Sequence, residues 1–319
     1  MIKSFEFYQD LPKGDSLKSS SLLNREVELI KQFTCRSIKN DSTSICPCCN
    51  STTVSNFFKK WDVNYLRCDL CGTIFSPLPS AEIERYHDYS ALNQLRKSLE
   101  YQNDIENKRK VQWKEFNDWI YLRSFRYISK KTGYSILDIG NRYKGLQSII
   151  SSSKYCEKYV CVDSLTSDNT LESVEGLFDI VIINEKINHS KDVLNDLMPY
   201  ISKLSPNGLL FIDLRGGAGF DILTIKENAP IFPFEHVCLP TKDGLINVFN
   251  RLNMNILDFS TPGMMDFRYV IDHKECVPSN DYFIKQLVDI EDPEVQADFQ
   301  YFLQKSGLSS YIRLVVKKA

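Results

Sequence analysis

The chain has 319 residues, a formal net charge of -2, 43% hydrophobic and 25% charged residues. That is the make-up of a folded chain with room for roughly two domains, and it excludes a disordered polymer. The balanced charge excludes a whole-chain basic footprint for nucleic acid, and no run approaches the roughly 18 uncharged apolar residues of a membrane helix.

Residues 1–44 form a polar extension in which Leu22, Leu23, Val27 and Ile30 share one helical face. Met1–Asp10 has no apolar run of the signal-peptide kind, so a cytoplasmic location is expected. Thiols stay reduced there, and the ten cysteines must be metal ligands, core residues or reactive groups, not disulfides.

Residues 45–79 carry Cys46-Pro-Cys-Cys49 and, eighteen residues on, Cys68-Asp-Leu-Cys71-Gly72. Two Cys-x-x-Cys knuckles at this separation are a zinc-ribbon pattern, each aiming two thiolates at one ion. Val54–Phe58 and Val63–Leu66 supply candidate ribbon strands. Cys49 is preferred over Cys48 because it gives the two-residue spacing. Cys46, Cys49, Cys68 and Cys71 leave no open coordination position, so the expected Zn2+ is structural.

Pro77-Leu78-Pro79 ends the ribbon. Ser80 reads as an N-cap with Glu82 and Glu84 in the first turn, and residues 80–132 read as one helical linker closed by Gly133. Its basic stretch at 96–114 reads as a solvated face.

From residue 133 short β-rich runs alternate with helical stretches. The runs are Ser135–Ile139, Tyr159–Val162, Asp179–Ile183 and Leu209–Asp213, the last preceded by an Asn207-Gly208 turn. Thr241 caps a helix to about Leu252, and Asn255–Ser260 and Tyr311–Val316 are further strands flanking a helical insertion over about 261–308. The pattern predicts an α/β fold with a mostly parallel sheet covered on both faces. Asp138-Ile-Gly140 closes the first strand and Asp163 closes the second. A glycine turn and an acid so placed make a nucleoside-binding unit.

Here the chain resembles the Rossmann-like (class I) S-adenosylmethionine-dependent methyltransferases that carry an N-terminal zinc ribbon, sugar C-methyltransferases in particular. The resemblance covers about residues 45–319. Its parts come in order: Arg67–Pro77, the helix with Tyr86 and Tyr89, Leu137–Gly140, Phe178–His189, Leu204–Asp213 and Phe234-Glu235-His236. It implies a sheet of the seven-stranded type, S-adenosyl-L-methionine as cofactor and a small-molecule acceptor such as a sugar nucleotide. It places Asp138 and Gly140 at the methionine part of the cofactor, Asp163 on the ribose, Asn184 and Glu185 beside the transferred methyl, and Glu235 and His236 as the proton-abstracting pair.

Three departures stand beside it. The glycine-rich loop has Arg142 and Lys144 where glycines are usual, so Gly145 is the next glycine available. Only fifteen residues separate Asp163 from Asp179, so the third strand is very short or its helix is lost, and Asp168 and Glu172 are the candidates for an adenine-side acid. Leu239 stands where the sugar enzymes often have an aromatic after Glu-His, and no counterpart of their large C-terminal domain is expected in these residues.

Plainer readings stay open. Asp138 is also a turn cap, His189 a structural histidine, Tyr86 and Tyr89 packing residues, and Gly216–Gly219 a mobile loop over the cleft. The rival functions are a degenerate methyltransferase-fold binding or scaffold subunit, with Arg142 filling the cofactor space, and a zinc-ribbon adaptor using Lys59, Lys60, Trp61 and Arg67.

Overall fold

A computed structural model describes residues 21–35, 44–141, 143–162 and 171–319. Arg142, Asp163 and Asp168 lie outside the described residues.

Helix α1 (Ser21–Thr34) precedes the ribbon strands β1 (Val54–Lys60), β2 (Val63–Cys68) and β3 (Ile74–Phe75). The linker is three helices and not one: α2 (Ser80–His87), α3 (Ser90–Lys97) and α4 (Leu99–Tyr127). Serine makes the second break. Ser98 takes an extended backbone, and its hydroxyl caps Tyr101 N–H at 3.3 Å, starting a new helix without help from Gly or Pro. At the start of the linker the N-cap is Pro79 and not Ser80, which is the first helical residue, and there is no side-chain cap.

The α/β part follows as β4 (Tyr134–Ile139), α5 (Lys144–Ser151), β5 (Cys156–Val162), β6 (Phe178–Asn184), α6 (Val193–Ser202), β7 (Leu204–Arg215), α7 (Phe220–Ile225), β8 (Cys238–Leu239), α8 (Lys242–Arg251), β9 (Met254–Ser260), α9 (Asp266–Asp272), α10 (Tyr282–Val288), α11 (Pro293–Ser306) and β10 (Tyr311–Lys318). Helix α8 starts as expected, Thr241 accepting from Gly244 N–H. Strand β7 runs straight through Asn207-Gly208. A Cβ on Gly208 would stand 2.8 Å from the Phe178 carbonyl oxygen, and the β6–β7 register shifts there. The dipeptide therefore marks an irregularity in pairing, where two backbones come too close for a side chain, and not a turn.

The main sheet has the order β5-β4-β6-β7-β10-β9. Strands β5, β4, β6 and β7 pair in parallel, while β10 is antiparallel to both β7 and β9. This is a Rossmann-like, mostly parallel sheet. Among the described residues no strand stands outside β5, where a third strand would belong.

Side-chain alternation along each strand divides the core in two. Leu137, Ile139, Val181, Ile183, Leu210 and Ile212 face one way, onto α6 and α8 and the ribbon cysteines. Ile136, Ile180, Ile182, Leu209 and Phe211 face the other, onto α4 and α5. Trp119 of α4 meets Phe211 edge-on at 5.0 Å, an arrangement favoured by the ring quadrupoles.

The ribbon is built into this body. Its sheet runs β1-β2-β3-β8, so its last strand comes from the α/β part. Val193 N–H bonds Pro47 O, and the Thr241 hydroxyl donates to Cys71 O. A third core joins α1, α2, β2, α7, α9 and the 229–239 segment around Tyr65, Tyr86, Phe234 and Phe267.

Candidate active site and cysteine cluster

The chain leaves β4 toward β5 on one side, and β6 lies on the other. At such a switch point the connections part onto opposite faces, and a crevice opens beyond the strand ends. A cleft of about 400 Å³, counting its open mouth, lies there, lined by His87, Gly140, Asn141, Tyr143, Asn184, Glu185, Lys186 and His189.

Gly140 turns the chain at φ 81°, and its N–H bonds Val162 O. A Cβ there would touch Asn184 O at 3.4 Å in a backbone conformation that side chains resist. Asp138 behind it is fully buried. Its Oδ2 accepts from Asn141 Nδ2 at 2.8 Å and Tyr159 Oη at 2.7 Å, while Oδ1 has no partner among the described residues. Burial pushes its pKa up to about 6 against the pull of those two bonds. Asp138 therefore acts on the cleft through Asn141. Gly145 is not a loop glycine. It sits in the first turn of α5, where a Cβ would come 2.5 Å from Trp113 Cζ3, and it is what lets α5 lie against α4.

Across the cleft, Glu185 follows β6 in the left-handed region at φ 54°. Its carboxylate accepts from Tyr311 Oη at 3.4 Å. His189 shows Nδ1 to Phe234 O at 3.0 Å and Nε2 to Glu235 Oε2 at 3.8 Å. A carbonyl only accepts, so Nδ1 carries a proton, and in the neutral form of the ring Nε2 holds the lone pair. Phe234, whose carbonyl makes that contact, is itself at φ 70°, a region that bulky residues resist.

Glu235 is buried and heavily held. Tyr86 Oη and Arg96 Nη2 both donate to Oε1, the latter at 2.7 Å. Arg96 Nε also bonds Glu26 at 2.7 Å, and Tyr101 Oη bonds Glu26 at 2.7 Å. Tyr86 stacks on Phe234 at 5.2 Å. Arg96, inside the basic stretch expected to be solvated, is 5% exposed and ties α1, α3 and Glu235 together. No sequence signal distinguishes it from its solvated neighbours.

His236 does not line the cleft. Its Nδ1 accepts from Phe232 N–H at 2.9 Å, and burial together with the Arg215 charge lowers its pKa to about 3. Of the expected residues, the fold brings together Gly140, Asn184 and Glu185, with Asp138 behind them and Glu235 behind His189. Glu172 lies in a single turn before β6. Sequence reasoning missed His87, Asn141, Tyr143 and Lys186. Tyr89 packs on Phe33 at 5.3 Å. The Gly216–Gly219 loop does not line the cleft; it is closely packed, since Cβ atoms there would meet Ile312, Leu239 O and Ser310 within 2.5 Å.

The four cysteine sulfurs of Cys46, Cys49, Cys68 and Cys71 all lie within 4.8 Å of one another. Cys46–Cys71 and Cys49–Cys68 are 3.6 and 3.5 Å apart. Tetrahedral thiolates about 2.3 Å from one ion stand about 3.8 Å apart, so the donor set fits a zinc-sized ion with no ligand position to spare. Gly72 at φ 72° closes the second knuckle, its N–H on Cys68 O. Cys48 is outside the cluster and bonds Cys238, which helps burial push that thiol well above its usual range.

The ribbon's basic residues are already engaged. Lys60 Nζ donates to Ala229 O at 2.7 Å and lies over the Trp61 ring, its pKa lowered to about 8 mainly by burial. Lys59 pairs with Asp62 at 2.9 Å, and Arg67 lies over Phe57. Among the described residues no helix is long and apolar enough to cross a membrane.

No family model and no curated relative matches the sequence. Solved structures similar to the chain include the plantazolicin methyltransferase BpumL in complex with SAH, 14% identical with a TM-score of 0.37, covering 75% of this chain and 98% of that one. Coclaurine N-methyltransferase bound to N-methylheliamine and SAH is 15% identical with a TM-score of 0.36, covering 64% and 71%. The cyclase SpnF is 15% identical with a TM-score of 0.33, covering 64% and 80%. At such scores the fold rests on the chain's own strand order, with its parallel centre, antiparallel β10 and switch-point cleft.

Proposed function

We propose that the chain is an S-adenosylmethionine-dependent methyltransferase acting on a small-molecule acceptor. The observation that carries this reading is the placing of the Gly140 turn, open to close approach, at the switch point opposite Asn184 and Glu185. In this reading Gly140, Asn141, Asn184 and Glu185 hold the cofactor, with Asp138 orienting Asn141. Asp163 keeps the ribose role that the sequence resemblance gives it. The cofactor supplies an electrophilic methyl group. The chain supplies position and water exclusion, and a base where the acceptor must lose a proton.

His189 is better placed for that base than His236. A proton taken at its Nε2 gains Glu235 Oε2 at 3.8 Å while the Nδ1–H bond to Phe234 O stays as it is. Glu235, held by Arg96 and Tyr86, keeps its geometry through the transfer. The proposed metal is a structural Zn2+ on the four cysteines, and metal analysis should find one zinc per chain. S-adenosylhomocysteine should raise the melting temperature of the zinc-loaded protein; no rise with either the cofactor or this product would contradict the reading.

A further inference from the structure

Among the described residues, none neutralises one cation of the cleft. Lys186 lines it directly after Glu185, half-buried, its Cβ beside the Gly140 turn. Among the described residues no carboxylate lies within ion-pairing distance of its ammonium. Asp196 attracts it from further off, and Asp196 already accepts from Ser190 Oγ at 2.6 Å. Of the described acids nearby, Glu185 is committed to Tyr311 and the field of Arg109, and Glu235, behind His189, to Arg96 and Tyr86.

His87 faces the same space, its ring 5.3 Å from that of His189. Burial and the Lys186 charge both lower its pKa, so its ring stays neutral beside the ammonium. An ammonium partly stripped of water and left without a counter-charge costs free energy that a bound anion returns.

We propose that the acceptor carries a carboxylate or phosphate group, and that Lys186, with the His87 ring beside it, receives this anion. The proposal rests on the methyl-transfer reading, and it makes the substrate an acidic small molecule held by its charge while its nucleophile faces Glu185 and His189.

The test is calorimetric, with inorganic phosphate titrated into the zinc-loaded chain saturated with S-adenosylhomocysteine. Wild type should bind phosphate at one site. Lys186→Gln should weaken that binding by about ten- to a hundredfold, the span of a charge-assisted hydrogen bond. Lys186→Arg should restore most of it. Lys186→Gln should keep or raise the melting temperature of the unliganded chain, because it removes an uncompensated ammonium, and neither variant should change the affinity for S-adenosylhomocysteine. Equal phosphate binding by wild type and Lys186→Gln, or none by wild type, overturns the proposal. So does a Lys186→Gln variant that loses affinity for S-adenosylhomocysteine but not for methylthioadenosine, which lacks the carboxylate; the lysine would then serve the cofactor. Phosphate binding that depends on Lys186 in a chain that binds no S-adenosylhomocysteine removes the methyl-transfer reading alone and keeps the anion site.

Discussion

Single residues in this chain are set by burial more than by motif. Asp138 binds its proton more tightly folded than unfolded, its value rising from 3.8 to about 6. Its contribution is therefore fully present below about pH 4 and is lost as pH rises through about 6. Wild type should lose stability relative to Asp138→Asn across that window, as read by urea denaturation at each pH; parallel curves would contradict this. Arg96 offers a second test. It sits between Glu26 and Glu235, and Arg96→Met leaves two buried carboxylates facing each other. The expected loss is about 3–5 kcal/mol, with α1 detached, and a loss near zero would mean the network is hydrated. The four-cysteine cluster was legible from spacing alone, because the geometry of two Cys-x-x-Cys knuckles is local. His189 and Arg96 were not, because their partners lie 45 and 139 residues away.

At the scale of elements, alternation and caps carried the reading. The strands, the helix behind Thr241 and the helical insertion all appear where their patterns put them. The single long linker helix failed because Ser98 breaks it by capping, a side-chain event that composition hides. The glycines divide in the same way. Gly140 is needed for its backbone angle, whereas Gly145 and Gly219 are needed for space, with built Cβ atoms 2.5 Å from Trp113 and 2.2 Å from Ser310. Gly219→Ala should therefore cost about 1–3 kcal/mol by overpacking, measured as a fall in the denaturation midpoint, while Gly176→Ala, with no atom within 4 Å, should cost only its backbone strain. A harmless Gly219→Ala would show that the loop gives way.

At the scale of the molecule, the ribbon and the sheet share one core. Cys46, Cys68 and Cys71 pack with Leu137, Val181 and Leu245, and β8 closes the ribbon sheet. An isolated ribbon would melt alone when its metal is chelated. This one should take the α6–α8 side of the sheet with it, giving a single lowered transition in calorimetry in place of two separate ones. A separate low-temperature transition with the main one unmoved would contradict that coupling.

If the switch-point cleft is a cofactor site, it binds the product of methyl transfer. Calorimetric titration of S-adenosylhomocysteine into the zinc-loaded chain should give one site per chain, weakened when Asn184 is replaced by Ala while the melting temperature of the unliganded protein is kept. No heat of binding at millimolar concentration for either the product or S-adenosylmethionine would contradict it.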